Sequence, residues 1–380
     1  MELKEYRFDE VTINFDKKRV PLSGAQREKR KGNFRYYGAQ GVIDHIDDFI
    51  FDGTYLLIAE DGENLKSKKQ NIAQVVEGQF WVNNHAHIVQ GNELCNTRYL
   101  CYLLNSMDLS GYVTGSAQPK LSQANLNAVT LFLPSITVQE RIVECLYLFD
   151  KKIAVNQKIN DNLEQQAQAL FQELFIENAD PEWREGTISD LGTVVGGSTP
   201  SKSKPEYYTE HGIAWITPKD LSVNKSKFIT HGENDITELG LKNSSANIMP
   251  EGTVLFSSRA PIGYIAIAAG EVTTNQGFKS VIPRPAIGTP FVYYFLKNAL
   301  PTIEGMASGS TFKEVSGSTM KIVPAFIPDD ETLARFTEFC SPIFEQQQML
   351  ERQNQSLAAL RDSLLPKLMS GEIDVSDVSI

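Results

Sequence analysis

The sequence predicts an α+β chain: two mixed α/β domains in a pseudo-twofold arrangement, separated by two long helices paired as an antiparallel coiled coil. The first observation behind this is an internal duplication. Shifting residues 115–175 by 194 lays them without a gap on 309–369, with twelve identities over 61 positions, among them Gly115/Gly309, Ser122/Ser316, Phe132/Phe326, Pro134/Pro328 and Asn160/Asn354. In each copy a Gly-Ser turn leads to an apolar strand, a proline and a long heptad run, and this shared order makes the weak identity meaningful. The second observation is the heptad spacing itself. Ile142, Leu146, Phe149, Ile153, Asn156, Asn160, Leu163, Ala167, Leu170 and Leu174 are separated by alternating steps of four and three, as are Phe336, Cys340, Ile343, Gln347, Leu350, Asn354, Leu357, Arg361 and Leu364; such spacing is a coiled-coil seam.

The elements follow in chain order. β-Rich, alternating runs predict strands over Thr54–Ala59, Gly78–Val82 and Val129–Leu133 in the first copy, with a short helix over Arg98–Ser106. The first long helix covers Ile142 to Leu174, 33 residues or about 50 Å at 1.5 Å per residue. The second copy repeats the plan with strands over Thr253–Ser257, Tyr264–Ala269 and Val323–Ile327 and a short helix over Phe291–Asn298. Its long helix starts with Asp329-Asp330-Glu331, acidic residues that suit a helix N-terminus, and Pro366 is expected to end or kink it. Antiparallel pairing at positions summing to 510 sets Asn156 against Asn354, an amide pair expected to lock helix-helix register. No solenoid period is present, so the chain reads as two copies of one unit.

Charge sorts the same way. The net charge of −11 argues against a uniformly basic nucleic-acid binder, yet residues 1–133 carry 15 basic and 16 acidic groups and 181–330 carry 13 and 15. Both large segments are therefore near neutral, and the acidity lies in the helical stretches. With 41% apolar residues and a mean hydropathy of −0.25 the composition is that of a folded globular chain. No basic, apolar leader and no run of about 18 apolar residues occurs, so export and membrane embedding are not expected. Cys95, Cys101, Cys145 and Cys340 form no CxxC pair and read as buried thiols of a cytoplasmic protein.

Motifs for catalysis are missing. Gly192 to Gly197 has no following lysine to make a phosphate loop, and without a Pro-Pro pair the Asn/Asp-Pro-Pro-aromatic motif of adenine-N6 methyltransferases has no place. His85-Ala86-His87 sets two imidazoles at strand spacing without a third ligand nearby, the pattern of a surface or packing pair. The chain reads as a non-catalytic protein with no cofactor of its own.

Several short runs together carry a family resemblance. Gly115-Ser116-Ala117-Gln118-Pro119-Lys120-Leu121-Ser122, then Leu133-Pro134, then Gln139-Glu140-Arg141-Ile142-Val143 resemble type I restriction-modification specificity (S) subunits, as do Gly197-Ser198-Thr199-Pro200-Ser201, Trp215-Ile216-Thr217-Pro218-Lys219-Asp220-Leu221, Asn275-Gln276-Gly277-Phe278-Lys279 and the ending Leu364 to Ile373. Asp329 to Arg335 departs from the pattern by lacking the Gln-Glu-Arg of the first copy. The resemblance implies target-recognition domains at 1–133 and 181–330, and helical spacers at 134–180 and 331–380, the latter with a short acidic tail. It implies a subunit that reads a bipartite, asymmetric double-stranded DNA target. Its expected partners are two methyltransferase subunits, which hold S-adenosylmethionine, and restriction subunits, which use ATP and magnesium. The competing reading is a duplicated coiled-coil scaffold whose globular domains bind other proteins.

Candidate DNA contacts come from basic clusters. Lys17 to Arg35 holds eight basic residues against Glu28, interleaved with Phe34, and ends beside Tyr36 and Tyr37; from it Arg27, Lys29, Arg30, Lys31 and Arg35 are expected at phosphates or guanine edges. Gln118 and Lys120 follow on the Gly-Ser turn. The second copy offers a thinner set, Lys202, Lys204, Lys219, Lys225 and Lys227, beside Tyr207 and Tyr208.

Overall fold

The computed structural model describes residues 2–67, 70–115, 118–309 and 313–375. The chain forms two compact units, Met1–Lys152 with Ser356–Ile380, and Ile153–Gln355. Each unit thus takes a mixed α/β domain together with a segment of both long helices.

The first unit is built on a six-stranded sheet in the order Thr12–Asn14, Ala86–Gly91, Phe51–Ala59, Ala73–Val82, Lys31–Gly38, Gly41–Ile46. All neighbours are antiparallel except Lys31–Gly38 on Ala73–Val82. One face packs on the helix Thr97–Ser106 and on long-helix residues, with Leu56, Ile58, Val89, Tyr99, Leu100, Ile142, Leu146 and Leu368 in one core. The other face buries Tyr37, Phe51, Leu57 and Phe80. Asn96 caps the short helix by accepting from the Arg98 and Tyr99 amides. Gln139, from the Gln-Glu-Arg motif, is fully buried. It accepts from the Asn96 amide at 2.9 Å and donates to the carbonyls of Leu94 and Pro134, so it ties the start of the long helix to that cap.

The second unit carries a five-stranded sheet (Gly192–Gly196, Lys279–Pro283, Val254–Ser258, Ile262–Ala268, Phe228–Ile229) and a four-stranded one (Tyr208–Thr209, Asn234–Ile236, Ile213–Ile216, Thr273–Thr274). The helix Thr289–Asn298 matches Thr97–Ser106 in length and place in the copy. Its core draws Phe171 and Phe175 from the first long helix and its final turn, and Phe336 and Phe344 from the second, onto Phe291 and Tyr294.

The duplication extends further than the sequence signalled. Thr130–Leu133 pairs with Lys4–Arg7, and Pro324–Ile327 pairs with Arg184–Thr187 in the same register, Phe132 opposite Glu5 and Phe326 opposite Glu185. Ser122 and Ser316 each cap a short helix from equivalent places.

The long helices run Ile136–Gln172, followed by a π turn Glu173–Glu177, and Asp330–Ser370. Within the second unit they pair antiparallel: Asn156 donates to Asn354 at 2.8 Å and Gln347 to the Asn160 carbonyl at 3.2 Å. Asp329 caps the second helix by accepting from the Thr332 amide at 2.8 Å. Pro366 neither ends this helix nor marks its last turn; the helix continues to Ser370. Leu364, Leu365, Leu368 and Met369 all pack on the first unit's core, and burial of these flanking side chains offsets the hydrogen bond that proline removes.

Candidate nucleic-acid interface

In the first unit the basic segment folds as a short helix, Gly24–Glu28, leading into the strand Lys31–Gly38, whose hairpin partner is Gly41–Ile46. That hairpin changes the charge balance. Arg27 donates to Asp44 at 2.9 Å and to the Leu22 carbonyl at 2.8 Å, with its guanidinium over the Tyr36 ring. Arg30 pairs with Asp47 and Asp48 and lies over Trp81. Lys31 pairs with Glu28 and Asp44, each at 3.0 Å. The Lys31 ammonium, with the His45 amide and Arg27, holds the Asp44 carboxyl down to about 2. The charge excess counted between Lys17 and Arg35 is therefore corrected: Asp44, Asp47 and Asp48 lie just beyond the counted window and are folded back onto it. Lys29 is exposed and has no carboxylate partner among the described residues, and Arg35 is exposed, donating to the Glu77 carbonyl at 2.6 Å.

Gln118 and Lys120 sit on a hairpin that both copies share. Lys120 bridges to Thr114 and Asp61; in the second copy Glu314 bridges to Ser308 and Arg259. The Leu121 amide donates to the Glu60 carbonyl and the Val315 amide to that of Ser258. Gly115 opens this turn at φ +86°, where a Cβ would lie 2.3 Å from the Gln118 carbonyl oxygen. Ser116, Ala117 and Ser310, which belong to the Gly-Ser signature, lie outside the described residues. Gln118 is exposed, while the Lys120 ammonium meets Glu60 at 3.2 Å. The neighbouring histidines go separate ways: His85 pairs with Asp61 at 2.7 Å, whereas His87 is buried between Asp16 at 2.6 Å and the Leu121 carbonyl at 2.8 Å. Among the described residues no group of three or more His, Cys, Asp or Glu is placed to hold a metal.

The second unit holds a cleft of about 690 Å³ whose walls include Thr199, Lys202, Trp215, Lys219, Arg259 and Gln276. Its framework is fixed from behind. Trp215 donates through Nε1 to the Ser198 carbonyl at 3.0 Å, Tyr208 donates to that of Pro200 at 2.6 Å, and their rings meet edge to face. Asp220 accepts from the Thr217 amide and hydroxyl and from the Glu233 amide. Thr199 donates to Gln276, and Lys219 pairs with Glu233. Ala260, at the lip next to Arg259, has φ +51°, a conformation L-residues adopt at a cost when surrounding structure enforces it. The cleft thus gathers the cations Lys202, Lys219 and Arg259 with Gln276 beside the carboxylates Asp220 and Glu233; cations and side-chain amides are groups that can bond phosphates and base edges.

Residues 2–165 and 181–361 match the family described as Type I restriction modification DNA specificity domain. The chain belongs to this specificity-domain family. The two matched stretches fall one on each copy of the duplication. The chain is similar to the MjaIX specificity subunit of Methanocaldococcus jannaschii, 39% identical over 189 residues, which cover 49% of this chain and 44% of that subunit. The similarity thus spans less than half the length of that relative. It is also similar to the HindI specificity subunit of Haemophilus influenzae, 25% identical over 404 aligned positions, covering 85% of this chain and 84% of that one. Its fold is similar to the crystal structure of the type I restriction-modification S subunit from M. genitalium, with a TM-score of 0.56 at 15% identity over 97% of this chain and 96% of that one.

The specificity-domain motifs of the second copy converge on the cleft: Thr199 and Lys202 from or beside the first, Trp215 and Lys219 from the second, Gln276 from the third. Of the lysines singled out there, Lys202 is exposed, with no carboxylate partner among the described residues. Lys204 is exposed near Glu206 at 3.7 Å, and Lys225 lies over the Tyr264 ring. Lys227 is a correction. It is 8% exposed, and its ammonium is enclosed by Glu164 at 2.8 Å, Gln347 at 3.0 Å and the face of Phe344 at 3.6 Å. A lysine closed in on all sides by its own fold does not reach a phosphate. Arg259 and Gln276 were not among the expected contacts, although Gln276 stood in a quoted motif; Arg259 gave no signal beyond its charge, since only the fold of the strand Val254–Ser258 carries it to the cleft.

Proposed function

We propose that this chain is the DNA sequence-specificity subunit of a type I restriction-modification complex. It reads a bipartite, asymmetric duplex target, one half per unit, and directs adenine methylation or cleavage by partner subunits. The observation that carries this reading is the match of the specificity domain to both copies of the duplication, supported by the cleft where the second copy's motifs meet and where Lys202, Lys219 and Arg259 gather. The partners are methyltransferase subunits holding S-adenosylmethionine and restriction subunits using ATP and magnesium; the chain itself performs no catalysis and works in the cytoplasm. No described helix is long and apolar enough to cross a membrane.

The test is to express the chain with a type I methyltransferase subunit in a host free of adenine methylation and map the modified bases. A split motif with an unread gap, absent when either protein is omitted, is the expected result. No DNA modification together with no DNA retention in a mobility-shift assay would favour the scaffold reading instead, and modification by the chain alone would make it an enzyme.

A further inference from the structure

The two copies share a polar contact that neither the motifs nor DNA reading explains. The sixth residue of each equivalent helix is a tyrosine, Tyr102 in Thr97–Ser106 and Tyr294 in Thr289–Asn298. Each donates its hydroxyl to a carboxylate of the first long helix. Tyr102 meets Asp150, which also accepts from Arg361 of the second long helix at 2.6 Å. Tyr294 meets Glu164 at 2.8 Å, and Glu164 also accepts from Lys227 at 2.8 Å and Lys297 at 2.7 Å. Each contact lies wholly within one unit. In both, a tyrosine of the globular domain meets a long-helix carboxylate that also accepts from a cation, which comes from the second long helix in the first unit and from the domain in the second.

The second-unit version is the more deeply set. Lys227 comes from the domain, while Glu164, Gln347 and Phe344 around it come from the two long helices. Glu351 of the second helix accepts the backbone amides of Lys227 and Phe228 at 2.8 and 3.0 Å. Burial draws the Lys227 ammonium down to about 8 against the pull of Glu164, so the cation is held at a desolvation cost. Apolar side chains would fill such a seam without that cost, whereas directional charge-assisted bonds tolerate only one alignment of domain on helix.

We propose that Tyr102–Asp150–Arg361 and Tyr294–Glu164–Lys227 are latches of the same kind, made of positioning residues around corresponding tyrosines, each fixing one globular domain in a single orientation on the helix segments of its own unit. Its consequence for DNA rests on the function proposed above: a half-site read by a latched domain is met at one defined distance along the duplex. A domain freed from its latch keeps its base contacts and loses that definition.

The test uses the full chain as wild type, Tyr102→Phe, Tyr294→Phe and Lys227→Met. The phenylalanine variants remove only a hydroxyl and keep the packed ring, so they guard against a Lys227→Met protein that fails to fold. In hydrogen exchange, Tyr294→Phe should speed exchange of the Lys227 and Phe228 amides by up to about tenfold, as loss of one hydrogen bond allows, while the strand Val254–Ser258 stays protected. Tyr102→Phe should loosen only the first unit's helix Thr97–Ser106. Unchanged exchange, or a uniform rise along the whole chain, would overturn the latch. The same proteins, each with a methyltransferase subunit, then select targets from random duplexes. The expected result is one gap length for wild type and the same half-sites with gaps spread by about one base pair for the variants. A wild type that selects no motif speaks against DNA reading, and the exchange data still decide the latch; variants that loosen in exchange but keep a single gap overturn its positioning role.

Discussion

Arg27 and Lys29 stand two residues apart and do different work. Arg27 is tied to Asp44, the Leu22 carbonyl and the Tyr36 ring, so Arg27→Ala should lower the melting temperature by about 2–4 °C, the shift that about 1 kcal/mol gives in a domain of this size. Lys29 is exposed; Lys29→Ala should leave melting unchanged and reduce the salt dependence of DNA binding by up to about 0.9 in log–log slope if it meets a phosphate. An equal slope in wild type and variant would remove Lys29 from the DNA face. Acid acts on the same scale. Asp44 titrates at about 2 in the fold against 3.8 ordinarily, because Lys31, the His45 amide and Arg27 favour its charged form. Its stabilising effect is thus full above about pH 4 and is lost as the pH falls toward 2. Glu164 behaves alike: burial would raise it, but Lys227 and Lys297 outweigh burial and hold it at about 2. In Lys227→Met that hold weakens, so acid unfolding followed by circular dichroism should begin at a higher pH than in wild type.

At the scale of the element, the paired helices carry a buried amide where a stable seam would place leucine. Asn156 is fully buried and donates to Asn354 and Gln353, each at 2.8 Å. Asn156→Ala removes both bonds and leaves the half-buried Asn354 oxygen without its donor, while exposed Gln353 turns to water, and should cost about 1–3 kcal/mol. The double replacement Asn156→Leu with Asn354→Leu should instead raise the melting temperature, while losing what a polar seam position supplies, a single register. A double variant less stable than Asn156→Ala would mean that the amide pair is a net source of stability. The heptad spacing gave these helices away because packing repeats along them. It understated their length: the first starts at Ile136 and the second runs on to Ser370, since the end turns are held by caps and by core contacts outside the seam.

At the scale of the whole molecule, the proposed function makes the helices a ruler and the domains exchangeable. Inserting four residues, about one helical turn, at equivalent points of both long helices should lengthen the unread gap of the methylated motif and leave both half-sites intact. Replacing residues 181–330 by the matching segment of a relative should change one half-site only. A gap that stays constant in the first variant, or two altered halves in the second, would show that spacing and reading are set elsewhere.

What the sequence by itself determined is what repeats or lies close along the chain: the duplication, the seams with their Asn156–Asn354 pair, the short helices ending at Ser106 and Asn298, and the family resemblance. These signals are periodic or local, so no knowledge of distant neighbours is needed to read them. What only the tertiary structure decided is which charges remain free. Lys227 and Lys202 look alike as residues in a basic stretch, yet one is enclosed by Glu164, Gln347 and Phe344 and the other faces solvent at the cleft. Arg27, Arg30 and Lys31 lost most of their charge excess to Asp44, Asp47 and Asp48. Arg259 and Gln276 reached the cleft from strands and turns far apart in the chain. Electrostatic partners are chosen by distance in space, and a hairpin or a sheet crossing sets that distance independently of separation in sequence.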